Sequence, residues 1–222
     1  MSSPAESADA VDPLRAVADT MRAVRERCVW SQRITHRDLV PYLIEESHEV
    51  IDAVEGGTRA DLREELGDLL WQVLFHSAIA AQDPEDPFDI DDVARTLDEK
   101  MVRRHPHVFA GESAATADEV LVHWNAAKAA EKRTRRSVLD GVPRGMPALA
   151  LAQKIVGRAA GVGVMPAVPA SVSRAPASEE ELGEALLALV VQARTAGWDA
   201  ERALRERLRG LEDEVRAAEA AP

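Results

Sequence analysis

Cysteine occurs once in 222 residues, at Cys28, and a lone thiol excludes both a disulfide framework and a cysteine-built zinc site. A reduced, cytoplasmic setting is the expectation. Aromatic residues make up only 4% of the chain, and no strand-like alternation stands out; abundant Ala, Leu, Arg and Glu point instead to an all-α protein. No apolar run approaches the roughly 20 residues that a membrane span needs. The opening MSSPAESADAVD has neither the basic start nor the apolar centre of a secretory signal, so no membrane association is expected. Positive charge is also short: 27 Lys and Arg stand against 39 Asp and Glu, a net charge of −12. That balance disfavours non-specific binding to nucleic acid or anionic lipid, while leaving room for a local basic patch that takes a small phosphorylated molecule.

What the chain does have is acid, concentrated in residues 45–68 (EESHEVIDAVEGGTRADLREELGD). Glu45, Glu46 and Glu49 form one cluster, Glu64, Glu65 and Asp68 another, and Gly56-Gly57 separates them. The pairs Glu46/Glu49 and Glu65/Asp68 are three residues apart, which on a helix puts both side chains on one side. Glycine suits a helix end in the left-handed conformation, and Thr58 followed by Asp61 is an N-cap signature. The segment therefore predicts a helical hairpin with four acids near one another. Gathered in a groove of low dielectric, like charges raise their own pKa values or destabilise the fold. A divalent cation relieves the conflict, and an all-oxygen ligand set that also meets phosphate favours Mg²⁺ or Mn²⁺ over zinc.

Solvated glutamates on an ordinary helix face are the alternative, and periodicity argues against it. Leu39, Leu43, Val50 and Val54 make a stripe on the first acidic helix, widened by Val40, Ile44 and Ile51, with Glu46 on its edge and Glu49 just beyond. On the second, Leu62, Leu66, Leu69, Leu70, Val73 and Leu74 make one apolar face while Trp71, Phe75 and Ile79 make another. A helix apolar on two faces is buried on two faces, so Glu65 and Asp68 between them are predicted to be partly buried. No Lys or Arg of that helix reaches them at i+3 or i+4 spacing, and a metal is the economical partner.

Residues 1–11 read as a disordered tail. Asp12-Pro13 opens a first helix whose stripe is Leu14, Val17, Met21, Val24 and Cys28, which makes Cys28 a small core residue. Trp30 follows, to cover the core or to stack on a base. Thr35 and Asp38 are placed to cap the helix of the first acidic cluster, and the helix from Thr58 is predicted to reach about Ala81. Asp89 caps a fourth helix with a stripe of Ile90, Val93, Leu97 and Met101 that stops before Pro106, and Thr116 with Glu119 opens a fifth. His48, His76, His105 and His107 read as satisfied or solvated.

The pattern EExxE, a turn, then ExxD and an apolar run (ELGDLLWQVLF) resembles the MazG nucleotide pyrophosphohydrolases. The likeness extends through CVWSQRITH at 28–36, EKMVRRHPHVF at 99–109, EVLVHWNAAKAAEK at 119–132 and SVLDGVPRGMPALALAQKI at 137–155, so it covers roughly residues 14–160. It implies a helical bundle of the all-α NTP pyrophosphatase type, a homodimer, and metal-dependent hydrolysis of nucleoside triphosphates to the monophosphate and pyrophosphate, with house-cleaning tolerance for non-canonical nucleotides. Glu46, Glu49, Glu65 and Asp68 then stand as metal ligands for Mg²⁺, with Mn²⁺ a substitute, and Glu45 or Glu64 as general base. Lys100 and Arg104, one turn apart, compensate the end dipole of their helix or bind the outer phosphates, and the resemblance favours phosphate. Trp124 and Lys128 are otherwise a core aromatic beside a solvated charge; in the family this pair reaches the nucleotide. Around Trp30 the family usually has Pro and Asp where Val29 and Ser31 stand here.

A basic run at 131–136 and the Pro/Gly-containing LDGVPRGMP at 139–147 mark a domain boundary, dividing a catalytic domain at 12–136 from a region at 137–222. In the latter a short helix around 148–160 and a flexible linker at about 161–178 precede a final helical region. There, EEELGEALLALVVQARTAG at 179–197 repeats EELGDLLWQVLFHSAIAAQ at 64–82. Glu181 and Glu184 stand for Glu65 and Asp68, but no EExxE helix precedes them. The second repeat is thus predicted to bind no catalytic metal and to serve packing or dimerisation. Two rivals remain: a di-iron bundle, suggested by the Glu-x-x-His of Glu45 and His48 but lacking the second copy such bundles use, and a non-catalytic helical module that dimerises or senses nucleotides.

Overall fold

Thr58 starts a helix by its own chemistry: its Oγ1 accepts hydrogen bonds from the backbone N–H of Ala60 and Asp61, while the Asp61 carboxylate accepts from the N–H of Thr58 at 2.7 Å. Local rules of this kind, confined to a turn, generate the helices of this computed structural model, which describes residues 12–131, 137–164 and 175–219. Every regular element among these is helical, with no strand. The tail at 1–11, the basic run at 132–136 and residues 165–174 of the linker lie outside the described residues. The chain divides into two compact units, Met1–Ala130 and Glu131–Pro222.

In the first unit the helices are α1 (Pro13–Arg27), α2 (Val40–Glu55), α3 (Arg59–Ala80), α4 (Ile90–Arg104), the short α5 (Pro106–Phe109) and α6 (Ala117–Ala130). Helix α3 is the hub, packing against α1, α2 and α4. Met21, Leu39, Leu74 and Phe75 form the buried centre, with Val17, Leu70, Trp71 and Ile90 around it. A buried arginine braces this core. Arg25 donates to the carbonyls of Ser31 and Ile34 and to the Gln82 side chain, tying the end of α1 to the connection that follows and to the chain just beyond α3.

Several local expectations change. Cys28 is exposed at the C-cap of α1, and Leu14 is exposed at its start; the buried positions of that helix are Met21 and Arg25. Thr35 donates from its hydroxyl and its backbone N–H to the Asp38 carboxylate, at 2.7 and 3.0 Å, but these bonds close a turn, and α2 begins later, at Val40 beside Pro41. Pro106 ends α4 and opens α5 in the same step. The stripe of α2 is largely uncovered within the chain, since Val40, Leu43, Ile44 and Val54 are exposed. One of the apolar faces of α3 is left open too, at Leu66 and Val73.

The hairpin turn is made differently from the glycine rule. Neither Gly56 nor Gly57 has a positive φ; Gly56 sits at φ −151°. What requires glycine is closeness: a Cβ on Gly57 would lie 2.8 Å from the Cα of Ala53.

The second unit holds α7 (Ala148–Ala160), α8 (Glu179–Thr195) and α9 (Ala200–Glu219), each packed on the other two. Gln153 on α7 donates to the carbonyl of Trp198 and accepts from the N–H of Ala200, which fixes the start of α9. Glu201 in turn accepts from the N–H of Ala150 at the start of α7. On α8 the buried residues Ala188, Val190 and Val191 occupy the places that Gln72, Leu74 and Phe75 have on α3.

Candidate metal centre

The α2–α3 hairpin brings three of the four expected ligands together. Glu46 and Glu49 from α2 and Glu65 from α3 each offer a carboxylate oxygen, and these oxygens lie within 4.8 Å of one another. Glu46 and Glu65 are half-buried and Glu49 is exposed. Asp68 falls outside this group of three and is exposed, a correction to the expectation of partial burial: it lies one turn from Glu65, on the edge that faces solvent. Its charge is nonetheless felt at Glu46 and Glu65.

Electrostatics express the conflict that the sequence implies. Burial raises the Glu46 carboxyl above the usual carboxylate range, and the charges of Asp68 and Glu49 and a hydrogen bond with Glu49 push the same way; Gln72 opposes them. Glu65 is raised by desolvation and then by Glu49, Asp68, Glu64 and Asp61. Among the described residues, no basic side chain is a leading cause at either site. A hard divalent cation fits this donor set, because it replaces mutual repulsion with oxygen coordination. An open depression of about 340 Å³ adjoins the cluster, lined by Glu49, Asp52, Gly57, Asp61 and Glu65 among others.

A larger depression, about 460 Å³, lies between α1, α3 and the start of α4. Its cations are already engaged: Arg15 pairs with Asp91 at 2.7 Å and Arg25 with the carbonyls named above. Chemistry therefore selects the acidic cluster over the larger cavity.

Glu45 and Glu64 are exposed beside the cluster. Lys100, Arg104, Trp124 and Lys128 are half-buried on α4 and α6. Two of these four meet: the Arg104 guanidinium lies 5.0 Å over the Trp124 ring, with His105 edge-on to the same ring at 5.2 Å. His48 is exposed and takes no part in the acidic group, so the Glu-x-x-His pair does not converge on it. Trp30 is half-exposed and packs edge-on against Phe75 and Tyr42.

Sequence reasoning missed three side-chain contacts here. Gln72 is buried on α3 with Nε2 3.4 Å from Glu46 Oε1; its place four residues after Asp68 was the available signal. His76 and His36 face each other through Nδ1 atoms 2.7 Å apart, across a separation of 40 residues that no local rule spans. His123 pairs with Glu112 at 2.7 Å.

Comparison with known proteins matches this region. Residues 34–109, which contain all four acids, match the model of the MazG nucleotide pyrophosphohydrolase domain. An uncharacterized 26.1 kDa protein from Streptomyces cacaoi is 48% identical over 203 residues, covering 91% of this chain and 81% of its own. The nucleoside triphosphate pyrophosphohydrolase of Escherichia coli K12 is 36% identical over 230 residues, covering 94% of this chain and 87% of that protein. A solved mazG-related protein from Thermotoga maritima aligns with 51% of this chain and 97% of its own at 25% identity and a TM-score of 0.45. The acidic hairpin thus sits inside the matched domain, and the likeness to a full-length pyrophosphohydrolase runs through nearly the whole sequence: this chain belongs to the MazG nucleotide pyrophosphohydrolase family.

Proposed function

We propose that the protein hydrolyses nucleoside triphosphates to the monophosphate and pyrophosphate, using Mg²⁺, or Mn²⁺ in its place, held by Glu46, Glu49 and Glu65 and completed by Asp68. The carrying observation is the convergence of three carboxylate oxygens from two helices within 4.8 Å, with no cation among the described charges that act on Glu46 and Glu65. When bound, the ion neutralises phosphoryl charge and lowers the pKa of a coordinated water.

The chain's own residues then divide the work. Glu45 or Glu64, free of the three-acid group, takes the proton of the attacking water as the bond from the α-phosphorus to the bridging oxygen breaks and pyrophosphate leaves. Lys100, Arg104 and Lys128 hold the outer phosphates, and Trp124, beneath Arg104, supports the base or sugar. The family likeness supports a house-cleaning role on non-canonical nucleotides, with canonical, deoxy, oxidised and deaminated triphosphates all candidate substrates. The exposed Cys28 thiol suits a reducing cytoplasm. No described helix is long and apolar enough to cross a membrane, and a net charge of −12 gives no support to a nucleic-acid partner.

The apolar faces left open on α2 and α3, at Ile44 and Leu66 among others, support a homodimer through the bundle helices. That face alone also suits a non-catalytic dimerisation module. Pyrophosphate release from a panel of canonical, oxidised and deaminated triphosphates with Mg²⁺ separates the two. Glu49→Ala is expected to lower the rate on the order of 10³-fold, since an electrostatic group acting on the transition state carries about that much. Near-parental release by Glu49→Ala or Asp68→Ala with Mg²⁺ in excess overturns the assignment.

A further inference from the structure

Helix α3 carries one residue whose burial makes no sense as packing. Gln72 is 5% exposed, and its Oε1 is buried without a hydrogen-bond partner. Leu69, Trp71, Val73, Leu74 and Phe75 beside it in the sequence are all apolar, while Asp68 and His76 stand four residues to either side. A buried amide with one end unsatisfied costs stability that a Leu or Met of similar volume would not. The other end shows what the amide is for: Nε2 donates to Oε1 of Glu46 across the hairpin, 3.4 Å away. The orientation follows from charge, because turning the amide over would set its carbonyl against the carboxylate.

The second unit supplies an internal control. With Glu65 and Asp68 matched to Glu181 and Glu184, Gln72 falls on Ala188. Both positions are buried, and the flanking burial is kept as well, with Leu74 and Phe75 matched by Val190 and Val191. The helix thus has the same inward register in both places. An amide stands where an acidic helix lies opposite, and alanine stands where the sequence has no such helix. The polar group tracks Glu46 and not the packing of α3.

We infer that Gln72 is a positioning residue for the metal centre: its Nε2–H engages one oxygen of Glu46, so that the other is presented to the oxygens of Glu49 and Glu65. Residues 65, 68 and 72 share one face of α3, so the acidic edge of that helix ends in a neutral donor and not in a further carboxylate. A fifth acid would add repulsion; an apolar residue would leave the half-buried Glu46 free to turn away from the cluster. Hydrogen-bonded supports of this kind commonly set metal affinity through the ligand they hold.

The inference rests on the proposed metal reading, and Mn²⁺ titration by calorimetry tests them apart. Glu49→Ala is expected to abolish Mn²⁺ binding, and Gln72→Met to weaken it by about 10- to 100-fold in a protein that melts no lower than the parent. In the Glu46→Gln background, Gln72→Met is expected to cost nothing further. Excess Mn²⁺ is expected to restore pyrophosphate release in Gln72→Met, a rescue that a merely packing role would not give. If Gln72→Met fails to fold, Gln72→Ala, the residue of the second unit, takes its place. Unchanged Mn²⁺ affinity in a folded Gln72 variant, with Glu49→Ala dead to metal, overturns the positioning role and leaves the metal site standing. Mn²⁺ affinity indifferent to both substitutions overturns the metal reading itself.

Discussion

Arg25 and His76 show what single side chains carry in this fold. Arg25 is buried and serves three acceptors: the carbonyls of Ser31 and Ile34 and the amide oxygen of Gln82. Arg25→Met keeps the stem and removes the donors, and should cost about 1.5–3 kcal/mol in a denaturant titration, the usual range for hydrogen bonds to a charged group. His76 sets a pH dependence. Burial, and then the nearby His36, hold its imidazole below the ordinary value of 6.5. Between the ordinary and the lowered value the unfolded chain binds more protons, so stability is whole above pH 6.5 and is lost as pH falls through the folded value. Melting temperatures measured from about pH 8 down to about pH 5 should therefore fall, and His76→Leu should flatten the slope. Neither effect was legible in the sequence. The arginine lies on the helix that periodicity had read through Cys28, and the two histidines are 40 residues apart.

At the scale of elements, two glycines with similar surroundings on paper behave differently. A Cβ on Gly57 meets the backbone of Ala53 at 2.8 Å, whereas a Cβ on Gly157 meets the Arg194 guanidinium at 2.8 Å. Backbone does not yield and the end of an arginine does. Gly57→Ala should push α2 and α3 apart and destabilise by about 1–3 kcal/mol, weakening Mn²⁺ binding as it spreads the acids. Gly157→Ala sits inside a helix, where alanine is favoured by roughly 0.5–1 kcal/mol, and should be neutral or stabilising once Arg194 swings aside. Thermal melts of both variants check the pair. The Gly56-Gly57 break was readable from the sequence; its physical reason, close approach in place of left-handed geometry, was not.

For the whole molecule, the acidic cluster and the open apolar faces set the behaviour in solution. A ligand that binds only the folded state adds about 2.7 kcal/mol at a hundred times its dissociation constant. Mn²⁺ should therefore raise the melting temperature of the parent and leave Glu49→Ala where it was. Leu66 and Ile44 are exposed on the hairpin, and the proposed homodimer through these helices would cover them. Leu66→Glu should then shift the mass measured by light scattering toward the monomer, while a mass unchanged from the parent would place the dimer contact elsewhere.

The sequence by itself determined the all-α class, the acidic hairpin with its Thr58 cap, and the repeat of α3 in α8, because capping, periodicity and self-similarity act within one turn or one helix. Tertiary structure decided which acids meet. Glu46, Glu49 and Glu65 converge with Asp68 exposed beside them, Gln72 turns inward to Glu46, and Cys28 faces out where Arg25 is buried. Those outcomes depend on how closely α2 approaches α3 and on what fills the space beneath α1, and distances between helices are fixed by packing and not by spacing along the chain.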